Sequence, residues 1–520
     1  MTLRVLCVAA VAAFAAGFAQ AEVRLAGVFQ NHMVLQRGME VPVWGWADPG
    51  EKVSVSFAGQ TKEATAGDDG KWMVRLDAME ASKEGRELKA GNLVRKDVLV
   101  GEVWICSGQS NMEWGVNRTM SRRSAPEMAE KLPTIRLLTT PRKALFRPQI
   151  DDQSLRWQIC SAKTIQGFSA VGFHFGRRIV EEVDVPVGLI NSSWGGTKVE
   201  PWTNPEGFAM VPELKPISDN LAKEDPATEE GKAAAMKTVE GVKAWTAKAE
   251  AAIAGGKALP PAPKFPNPKV GHQDPTRIYN AKIYPLIPYA VRGAIWYQGE
   301  SNGGEGESYF HKKQALIKGW RKVWGQDMSF YFVQLTAFQK DNKNPAGGDG
   351  WSKHREAQRK TLTVPDTGMA VIIDIGNARD IHPQNKKDVG ERLANWALAK
   401  NYGQKDLVYS GPLYKSHKVE GNSIVLEFDH VGSGLMVGAK KGRDATTEVA
   451  DGELQRFAIA GADKKWHWAK AVIKDGTVVV SAEAVTEPVA VRYAFSMNPA
   501  GCNLYNKEGL PASPFRTDDW

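Results

Sequence analysis

The sequence predicts an α/β protein in which a doubly wound domain lies between two smaller β-domains. Three observations lead to this fold class. Apolar and polar residues alternate from Val23 to about Val100, continuous apolar runs alternate with helical patterns in the middle of the chain, and the alternation of single residues returns after about Tyr402. At roughly 150 residues per domain, a chain of 520 residues has room for two to four domains.

The first 21 residues have the features of a secretory signal peptide. Arg4 precedes an apolar stretch of Ala, Val and Phe, and Ala19-Gln20-Ala21 is a small-x-small cleavage signal. The stretch is too short for a comfortable membrane span, and no later segment has the run of about 20 apolar residues that a spanning helix needs. We therefore expect secretion to the periplasm or the extracellular space, without membrane attachment after cleavage.

Residues 22–95 are expected to form the N-terminal β-domain. The alternating stretches at 41–46 and 52–57 are separated by the turn signals Asp48-Pro49-Gly50 and Asp68-Asp69-Gly70. Short strands joined by tight turns are the simplest reading of this pattern.

Residues 96–402 are expected to form the doubly wound α/β domain. Apolar runs typical of strands buried on both faces of a parallel sheet occur at 98–100, 103–106, 187–190, 293–297, 330–333 and 369–373. Helices are predicted between them at about 166–183, 308–325 and 385–402. In such sheets ligands bind outside the carboxyl ends of the strands, so the polar residues after the runs are the first candidates for chemistry.

Two further regions complete the chain. An insertion at about 218–268, rich in Ala, Lys and Glu and ending in a Pro-rich stretch, predicts a surface helix and a semi-rigid linker. It is either a lid over the site or a solvated excursion. From 403 to 520 the alternation returns, at 423–428, 471–473 and 477–481, and predicts a C-terminal β-sandwich.

Composition excludes several classes of function. With 42% hydrophobic and 24% charged residues, the chain is neither disordered nor a polytopic membrane protein. The net charge of +8 is scattered rather than gathered in a basic run with aromatics, so nucleic acid is not an expected partner. The H-x-x-x-H and H-E-x-x-H spacings of metal sites are absent, and we expect neither a metal nor another cofactor.

The cysteines and tryptophans carry further information. Cys106, Cys160 and Cys502 remain after the predicted cleavage, an odd number that excludes a disulfide scaffold. Cys106, between Ile105 and Ser107, suits a small buried apolar residue. The 17 tryptophans favour contact with sugars, because the indole ring can stack on a sugar ring, although many will be core residues.

The first polar cluster of the central domain contains the candidate nucleophile, Ser110. It follows the run at 103–106, and a serine at a strand-to-helix turn presents its hydroxyl to solvent and its own N–H as an oxyanion donor. Gly108 and Ser110 match half of a G-x-S-x-G elbow, with Met112 in place of the second glycine. Taken alone, Ser110 is more typical of a helix cap.

Two other clusters offer oxyanion donors. Gly195 and Gly196 follow the run at 187–190, and paired glycines expose backbone N–H groups to a ligand. The segment from Gln298 to Asn302 follows the run at 293–297. A side-chain amide there can donate to an oxyanion, and Glu300 can orient a histidine.

The fourth cluster, Asp380-Ile381-His382-Pro383, contains the candidate base. Of nine histidines, His382 alone combines a strand-end loop in the central domain with a neighbouring aspartate. Imidazole is the usual base for a serine hydroxyl, and a nearby carboxylate fixes its tautomer.

The four clusters occur in the order seen in the sialate O-acetylesterase family, within the SGNH hydrolase superfamily, and the chain resembles that family over nearly its whole mature length. The matching blocks are Gly108-Gln109-Ser110-Asn111-Met112, Trp194-Gly195-Gly196-Thr197, Trp296-Tyr297-Gln298-Gly299-Glu300-Ser301-Asn302 and Asp380-Ile381-His382-Pro383, together with the ending from Leu504 to Trp520.

This resemblance implies a flavodoxin-like central domain with Ser110 as nucleophile and His382 as base. It also implies oxyanion donors from the backbones of Ser110 and Gly196 and from the side chain of Gln298 or Asn302.

The third member of the catalytic triad stays open at this point. SGNH enzymes often carry D-x-x-H, whereas here Arg379 occupies the first position and Asp380 lies two residues before His382. Related acetyl xylan esterases resemble this chain in a Q-G-E motif whose acid is Glu300 here. The acid is thus Asp380 or Glu300, or a Ser–His pair acts without one.

The expected function is that of a serine acetylesterase acting on an O-acetylated carbohydrate, with O-acetylated sialic acid as the first substrate class. Acetylated xylan, pectin or another polysaccharide is the nearer alternative. A non-catalytic glycan-binding protein built from the two β-domains and surface tryptophans is the more distant one. The sequence leaves the oligomeric state open.

Overall fold

The computed structural model describes residues 23–263 and 270–520. It has a mixed α/β architecture with one large mixed sheet and several antiparallel sheets. The predicted signal peptide at 1–21 and part of the Pro-rich stretch of the insertion lie outside the described residues.

The N-terminal region consists of short strands, as predicted. They are β1 (Arg24–Leu25), β2 (Val34–Gln36), β3 (Val41–Trp46), β4 (Lys52–Phe57), β5 (Gln60–Thr65), β6 (Lys71–Leu76) and β7 (Ser82–Ala90). Strands β1, β3 and β6 form an antiparallel sheet, whereas β2 and β7 pair with the next strand, β8 (Leu93–Gly108).

Strand β8 joins the N-terminal region to the central sheet. The apolar runs at 98–100 and 103–106, which the sequence suggested as separate strands, belong to this one strand of 16 residues. It continues through Glu102 because the charge of that fully buried carboxylate is neutralised: Arg37 Nε lies 2.6 Å and Arg292 Nε 2.9 Å from its oxygens. The predicted domain boundary between 95 and 96 falls inside this strand.

The central sheet continues with β9 (Ile135–Thr139), β10 (Trp157–Ile159), β11 (Val187–Ser193), β12 (Gly293–Tyr297), β13 (Ser329–Val333) and β14 (Thr367–Ala370). Its main order is β10-β9-β11-β8-β12-β13-β14, and along this path the edge strand β10 runs antiparallel to β9 while the other neighbours are parallel. Strands β9 and β10 were not predicted. Since β11 and β12 flank β8, the ends of these three strands meet at one edge of the sheet.

The strand predicted at 369–373 is shorter than expected. β14 ends at Ala370, and the chain turns into a short 3-10 helix at Ile373–Ile375. Arg392 fixes this turn, since its Nη1 donates to the Val371 carbonyl (2.8 Å) and its guanidinium pairs with Asp374 (2.6 Å).

The helices are α1 (Ser110–Glu113), α2 (Ala125–Glu130), α3 (Ala170–Val183), α4 (Pro205–Ala209), α5 (Lys215–Glu224), α6 (Glu229–Ala254), α7 (Tyr309–Trp324), α8 (Gly350–Lys360) and α9 (Lys386–Asn401). The three helices predicted for the central domain are confirmed as α3, α7 and α9. One core cluster includes Phe173 of α3 and Leu393 of α9, and another includes Trp320 of α7. The insertion contains α5 and α6, and α6 buries only Gly231 and Ala249.

The C-terminal region is all β, as predicted, with the strands β15 (Leu413–Glu420), β16 (Ser423–Asp429), β17 (Leu435–Ala439), β18 (Thr447–Glu448), β19 (Phe457–Gly461), β20 (Trp466–Trp468), β21 (Lys470–Lys474), β22 (Thr477–Ser481), β23 (Pro488–Tyr493), β24 (Leu504–Asn506) and β25 (Phe515–Arg516). They form three antiparallel sheets around a shared core that includes Ile424, Ile459 and Phe515. Buried Arg355 of α8 donates to the carbonyls of Ser496 and Met497 and ties this region to the central one.

The cysteines behave as expected of residues outside a disulfide scaffold. Cys106, Cys160 and Cys502 are all free thiols, and Cys106 is buried. Within 23–263 and 270–520, no helix combines the length and the apolar character needed to cross a membrane.

Candidate active site

The candidate residues gather at the carboxyl ends of the parallel strands. Ser110 follows β8 directly, Gly195 and Gly196 follow β11, and the segment from Gln298 to Asn302 follows β12. Asp380 and His382 lie on the loop between β14 and α9. Residues 272 positions apart in the sequence thereby come into contact.

The turn that carries Ser110 depends on Gly108. Gly108 has φ +133°, and a Cβ there would lie 2.1 Å from the Tyr297 carbonyl oxygen, so only glycine fits. The chain then enters α1 at Ser110 without a side-chain cap. The half-buried Ser110 hydroxyl is therefore free of a capping role, and its Oγ lies 2.9 Å from His382 Nε2.

His382 is held on three sides. Its Nδ1 lies 3.1 Å from Asp380 Oδ1, and its backbone N–H donates to the same oxygen at 2.9 Å. Its ring stacks on Trp114, with centroids 4.5 Å apart and an interplanar angle of 13°. With the proton on Nδ1 facing Asp380, Nε2 is the atom that accepts from Ser110.

The environment of His382 favours its neutral form. Burial lowers the pKa of His382 below its ordinary value, Asp380 opposes this by favouring the imidazolium, and the positive charges of Lys386 and Arg118 add to the lowering. A neutral imidazole that faces a serine hydroxyl can accept its proton.

Glu300 lies in a different setting from Asp380. Its Oε1 accepts a hydrogen bond from Asn111 Nδ2, and its Oε2 is shielded from solvent with no partner among the described residues. Burial raises the pKa of Glu300, and the hydrogen bonds and the charge of Lys386 offset this only in part. Of the two candidate acids, Asp380 is the one that hydrogen-bonds His382.

Asn111, the residue after the candidate nucleophile, connects three parts of the site. Besides Glu300, its Nδ2 contacts the carbonyl of Ile381 (3.1 Å), and its Oδ1 accepts from Lys386 Nζ. Both Asn111 and Lys386 are completely buried. Burial lowers the pKa of Lys386 to about 7, against the opposing effect of Glu300 and Asp380.

Backbone donors lie next to Ser110. None of the described residues accepts a hydrogen bond from the backbone N–H of Ser110 or of Gly196. Gly195 packs against Ser110, since a Cβ on Gly195 would lie 3.3 Å from Ser110 Cβ, and its N–H donates to Glu113 Oε2 at 3.0 Å. Exposed Gly196, at φ +75°, has open space where a side chain would lie.

The amides of Gln298 and Asn302 are engaged inside the protein. Gln298 Nε2 donates to the Thr197 carbonyl (3.1 Å) and to Asn302 Oδ1 (2.7 Å), which uses both of its hydrogens. Asn302 Nδ2 donates to Glu200 (3.0 Å), and Asn302 Oδ1 also accepts from the Val199 N–H (3.0 Å). The two buried side chains thus fix the segment that follows Gly196.

Sequence reasoning gave no role to Trp114, Asn111 or Lys386, which the structure places around Ser110 and His382. Asn111 lies within the first matching block. Lys386 is one of 67 basic residues, and nothing in the sequence marks it as part of the site. No group of three or more His, Cys, Asp or Glu side chains in the described part of the chain could hold a metal ion.

The chain is similar to several known proteins. Residues 100–229 match the family model "Carbohydrate esterase, sialic acid-specific acetylesterase". The chain is 27% identical to the sialate O-acetylesterase of Rattus norvegicus, over 95% of this chain and 94% of the relative. It is 26% identical to the sialate O-acetylesterase of Homo sapiens, over 95% of this chain and 92% of that relative. A carbohydrate acetylesterase from Xanthomonas citri with a crystal structure is 35% identical, with a TM-score of 0.77, over 96% of this chain and 100% of that chain.

Proposed function

Because the chain belongs to the sialate O-acetylesterase family and is a carbohydrate O-acetylesterase, we propose that it releases acetate through an acetyl-enzyme on Ser110. The observation that carries this proposal is the hydrogen-bonded chain from Ser110 Oγ to His382 Nε2 (2.9 Å) and from His382 Nδ1 to Asp380 Oδ1 (3.1 Å). Nucleophile, base and orienting acid in this order are the requirements of acyl transfer.

In the first half-reaction, Ser110 Oγ attacks the acetyl carbonyl carbon while its proton passes to His382 Nε2. The carbonyl oxygen gains a negative charge in the tetrahedral intermediate. His382 then gives the proton to the sugar oxygen as the bond between that oxygen and the carbonyl carbon breaks. The deacetylated sugar leaves, and the acetyl group remains on Ser110.

In the second half-reaction, water takes the place of the sugar hydroxyl. His382 accepts a proton from the water molecule as the water oxygen attacks the acetyl carbon. It returns that proton to Ser110 Oγ when the bond between the acetyl carbon and the serine breaks. Acetate is released and the starting state is restored without a cofactor.

We assign the oxyanion hole to the backbone N–H groups of Ser110 and Gly196, since neither is bonded to a described residue. The sequence also suggested the side chain of Gln298 or Asn302. Gln298 donates both amide hydrogens, to Thr197 and Asn302, and the Asn302 amide donates to Glu200, so we give the two side chains the role of holding the loop that carries Gly196.

We assign Asp380 as the acid that orients His382, and Glu300 as a residue that holds Asn111. Asp380 contacts both the ring and the backbone N–H of His382, whereas the side-chain hydrogen bond of Glu300 goes to Asn111. The D-x-x-H spacing is therefore not required, because the loop from Asp380 to His382 folds back on itself.

The strand order supports an SGNH-type layout. The parallel strands lie in the order β9-β11-β8-β12-β13-β14. The five strands from β11 to β14, numbered among themselves by their order along the chain, read 2-1-3-4-5, which is the flavodoxin-like order, and β9 is an additional parallel strand outside β11. We propose a central catalytic domain at 96–402, with β-domains at 22–95 and 403–520. The signal-like residues 1–21 further suggest that the enzyme acts in the periplasm or outside the cell.

For the substrate we propose an O-acetylated sialic acid, on the strength of the relatives' names, with acetylated xylan or pectin as the alternative. Acetate release from O-acetylated sialic acid, acetylated xylan and acetylated pectin, measured side by side as kcat/KM, decides between them. A higher kcat/KM on either polysaccharide would replace the sialate assignment and leave the mechanism intact.

The mechanism is tested by Ser110→Ala, which removes the attacking oxygen. We expect kcat for 4-nitrophenyl acetate to fall by at least about 10³-fold, with the fold retained by circular dichroism. Ser301→Ala is the matched control, because this serine lies at the same edge of the sheet and its hydroxyl has no partner among the described residues. Hydrolysis by Ser110→Ala near the wild-type rate would refute the assignment.

A further inference from the structure

A groove of about 970 Å³ crosses the C-terminal region and contains none of the residues of the catalytic site. Its walls come from β19, β20 and β21, from the loops at 451–456 and 500–501, and from the central loop at 341–343. This volume is at the upper end of the roughly 300–1,000 Å³ that ligand pockets occupy.

Trp468 provides a fixed aromatic surface in this groove. It is 44% exposed, and its Nε1 donates to the Lys343 carbonyl at 3.1 Å. The Arg456 guanidinium lies 5.6 Å from its ring centroid and is itself held by Asp341 (2.7 Å). Since the ring is already fixed before a ligand arrives, little side-chain entropy is lost when a sugar stacks on it.

The rest of the wall combines apolar side chains with charged ones, and the charges balance. Asp341, Asp451 and Glu453 are acidic, and Lys343, Arg456 and Lys470 are basic. Four exposed charges have no side-chain partner among the described residues: Lys343, Asp451, Glu453 and Lys470. Hydroxyl groups both donate to carboxylates and accept from ammonium groups, so this wall suits an uncharged polyhydroxy ligand better than a polyanion.

A second cavity borders the groove. It has a volume of about 460 Å³, shares Ala500 and Gly501 with the groove, and includes Gly376 and Ala378 among its lining residues. Ala378 lies two residues before Asp380, the proposed partner of His382. The loop that carries the base therefore contributes residues to a cavity that borders the groove.

We propose that this groove binds the neutral sugars of a glycan chain whose acetylated residue lies at the catalytic serine. The proposal rests on the carbohydrate acetylesterase activity of the protein, and it does not depend on which residues perform the chemistry. The proposed binding mode suits a neutral oligosaccharide that ends in an acetylated sugar, and it equally suits an acetylated neutral polysaccharide.

Binding is tested with unacetylated sugars, which need no turnover. Isothermal titration of the full chain with xylohexaose, mannohexaose and a lacto-series hexasaccharide is compared with titration of hexagalacturonate, the acidic arm. We expect at least one neutral hexasaccharide to bind more tightly than hexagalacturonate, and Trp468→Ala to weaken that binding about tenfold or more. Trp520→Ala, which removes a 38% exposed tryptophan outside the groove, is expected to bind as the wild type does.

A second variant covers the case in which Trp468→Ala fails to fold. Val472→Arg places a long side chain at a 48% exposed position on the groove wall and is expected to reduce binding to the same extent. The absence of binding for all three neutral hexasaccharides, or unchanged binding in folded Trp468→Ala and Val472→Arg, overturns the proposal.

Steady-state kinetics on a small and a long substrate distinguish a role in the groove from a role in the catalytic site. In Trp468→Ala, kcat/KM for 4-nitrophenyl acetate is expected to equal that of the wild type, while KM for an acetylated oligosaccharide rises about tenfold at unchanged kcat. An unchanged KM of Trp468→Ala for the acetylated oligosaccharide would contradict sugar binding in the groove. A failure of Ser110→Ala to lose activity would contradict only the catalytic assignment.

Discussion

The polar residues of the site form two layers in different surroundings, and each layer contains one carboxylate. The front layer consists of Ser110, His382 and Asp380, and the back layer of Asn111, Glu300 and Lys386. In the front layer the side chains of His382 and Asp380 are 23% and 37% exposed, whereas Asn111 and Lys386 in the back layer are completely buried. The contact of Asn111 with the Ile381 carbonyl joins the two layers.

We propose that the difference in solvent access distinguishes the residues that perform the chemistry from those that support them. Partial exposure leaves His382 able to exchange protons with substrate and water. In the back layer burial raises the pKa of Glu300 and lowers that of Lys386 to about 7, so both charged forms are disfavoured. A carboxylate next to a catalytic loop is thus not a catalytic acid by proximity alone.

The largest difference between the layers is expected from their two carboxylates. Asp380→Asn removes the charge that stabilises the imidazolium, and we expect kcat to fall by about 10²–10⁴-fold. Glu300→Gln keeps an oxygen for the Asn111 hydrogen bond, and kcat is expected to stay within about tenfold of the wild type. Both are measured with 4-nitrophenyl acetate at saturating concentration.

The pH profile provides a control for this pair. Activity rises with pH as His382 loses its proton, and Asp380 raises the pKa of His382, so Asp380→Asn should move the acidic limb to lower pH. A larger loss of kcat in Glu300→Gln than in Asp380→Asn would reverse the assignment of the two acids.

An intermediate effect is expected at the junction of the layers. Asn111→Ala leaves Lys386 Nζ, the Glu300 carboxyl and the Ile381 carbonyl without their partner and loosens the loop that carries His382. We expect kcat to fall by about 10–100-fold with little change in KM, because only the alignment of Ser110 and His382 is lost.

Asn401→Ala is the matched control for Asn111→Ala. Asn401 makes two side-chain hydrogen bonds, to Tyr331 and Ser329, where Asn111 makes three, and it lies near the amino end of β13, at the opposite edge of the sheet. It should lower the melting temperature without lowering kcat. Equal losses of kcat in the two variants would show that Asn111 acts only through stability.

The smallest effect is expected from Lys386→Met. The Lys386 charge is one of the influences that lower the pKa of His382, so its removal should raise that pKa and move the acidic limb of the pH profile to higher pH. Loss of one hydrogen bond to Asn111 should cost about fivefold in kcat. A limb that moves to lower pH, or does not move, would exclude an electrostatic influence of Lys386 on His382.

Much of the fold could be predicted from local patterns. Apolar runs and amphipathic segments located β11, β12, β13, α3, α7 and α9, because such patterns report burial on one or two faces of an element. The same reasoning missed β9 and β10, and it divided β8 in two at Glu102. A charged residue inside a strand breaks the apolar pattern unless distant cations neutralise it, and Arg37 and Arg292 lie 65 and 190 residues away.

The sequence by itself determined which residues are candidates for chemistry: Ser110, Gly196, Glu300, Asp380 and His382 all follow strands of the central domain. Only the tertiary structure decided which of them meet. The choice between Asp380 and Glu300 depends on hydrogen-bond distances, and the engagement of Gln298 and Asn302 depends on partners from the loop after β11. The physical reason is that a local pattern reports burial, whereas hydrogen bonds and pKa shifts depend on groups brought together from distant parts of the chain.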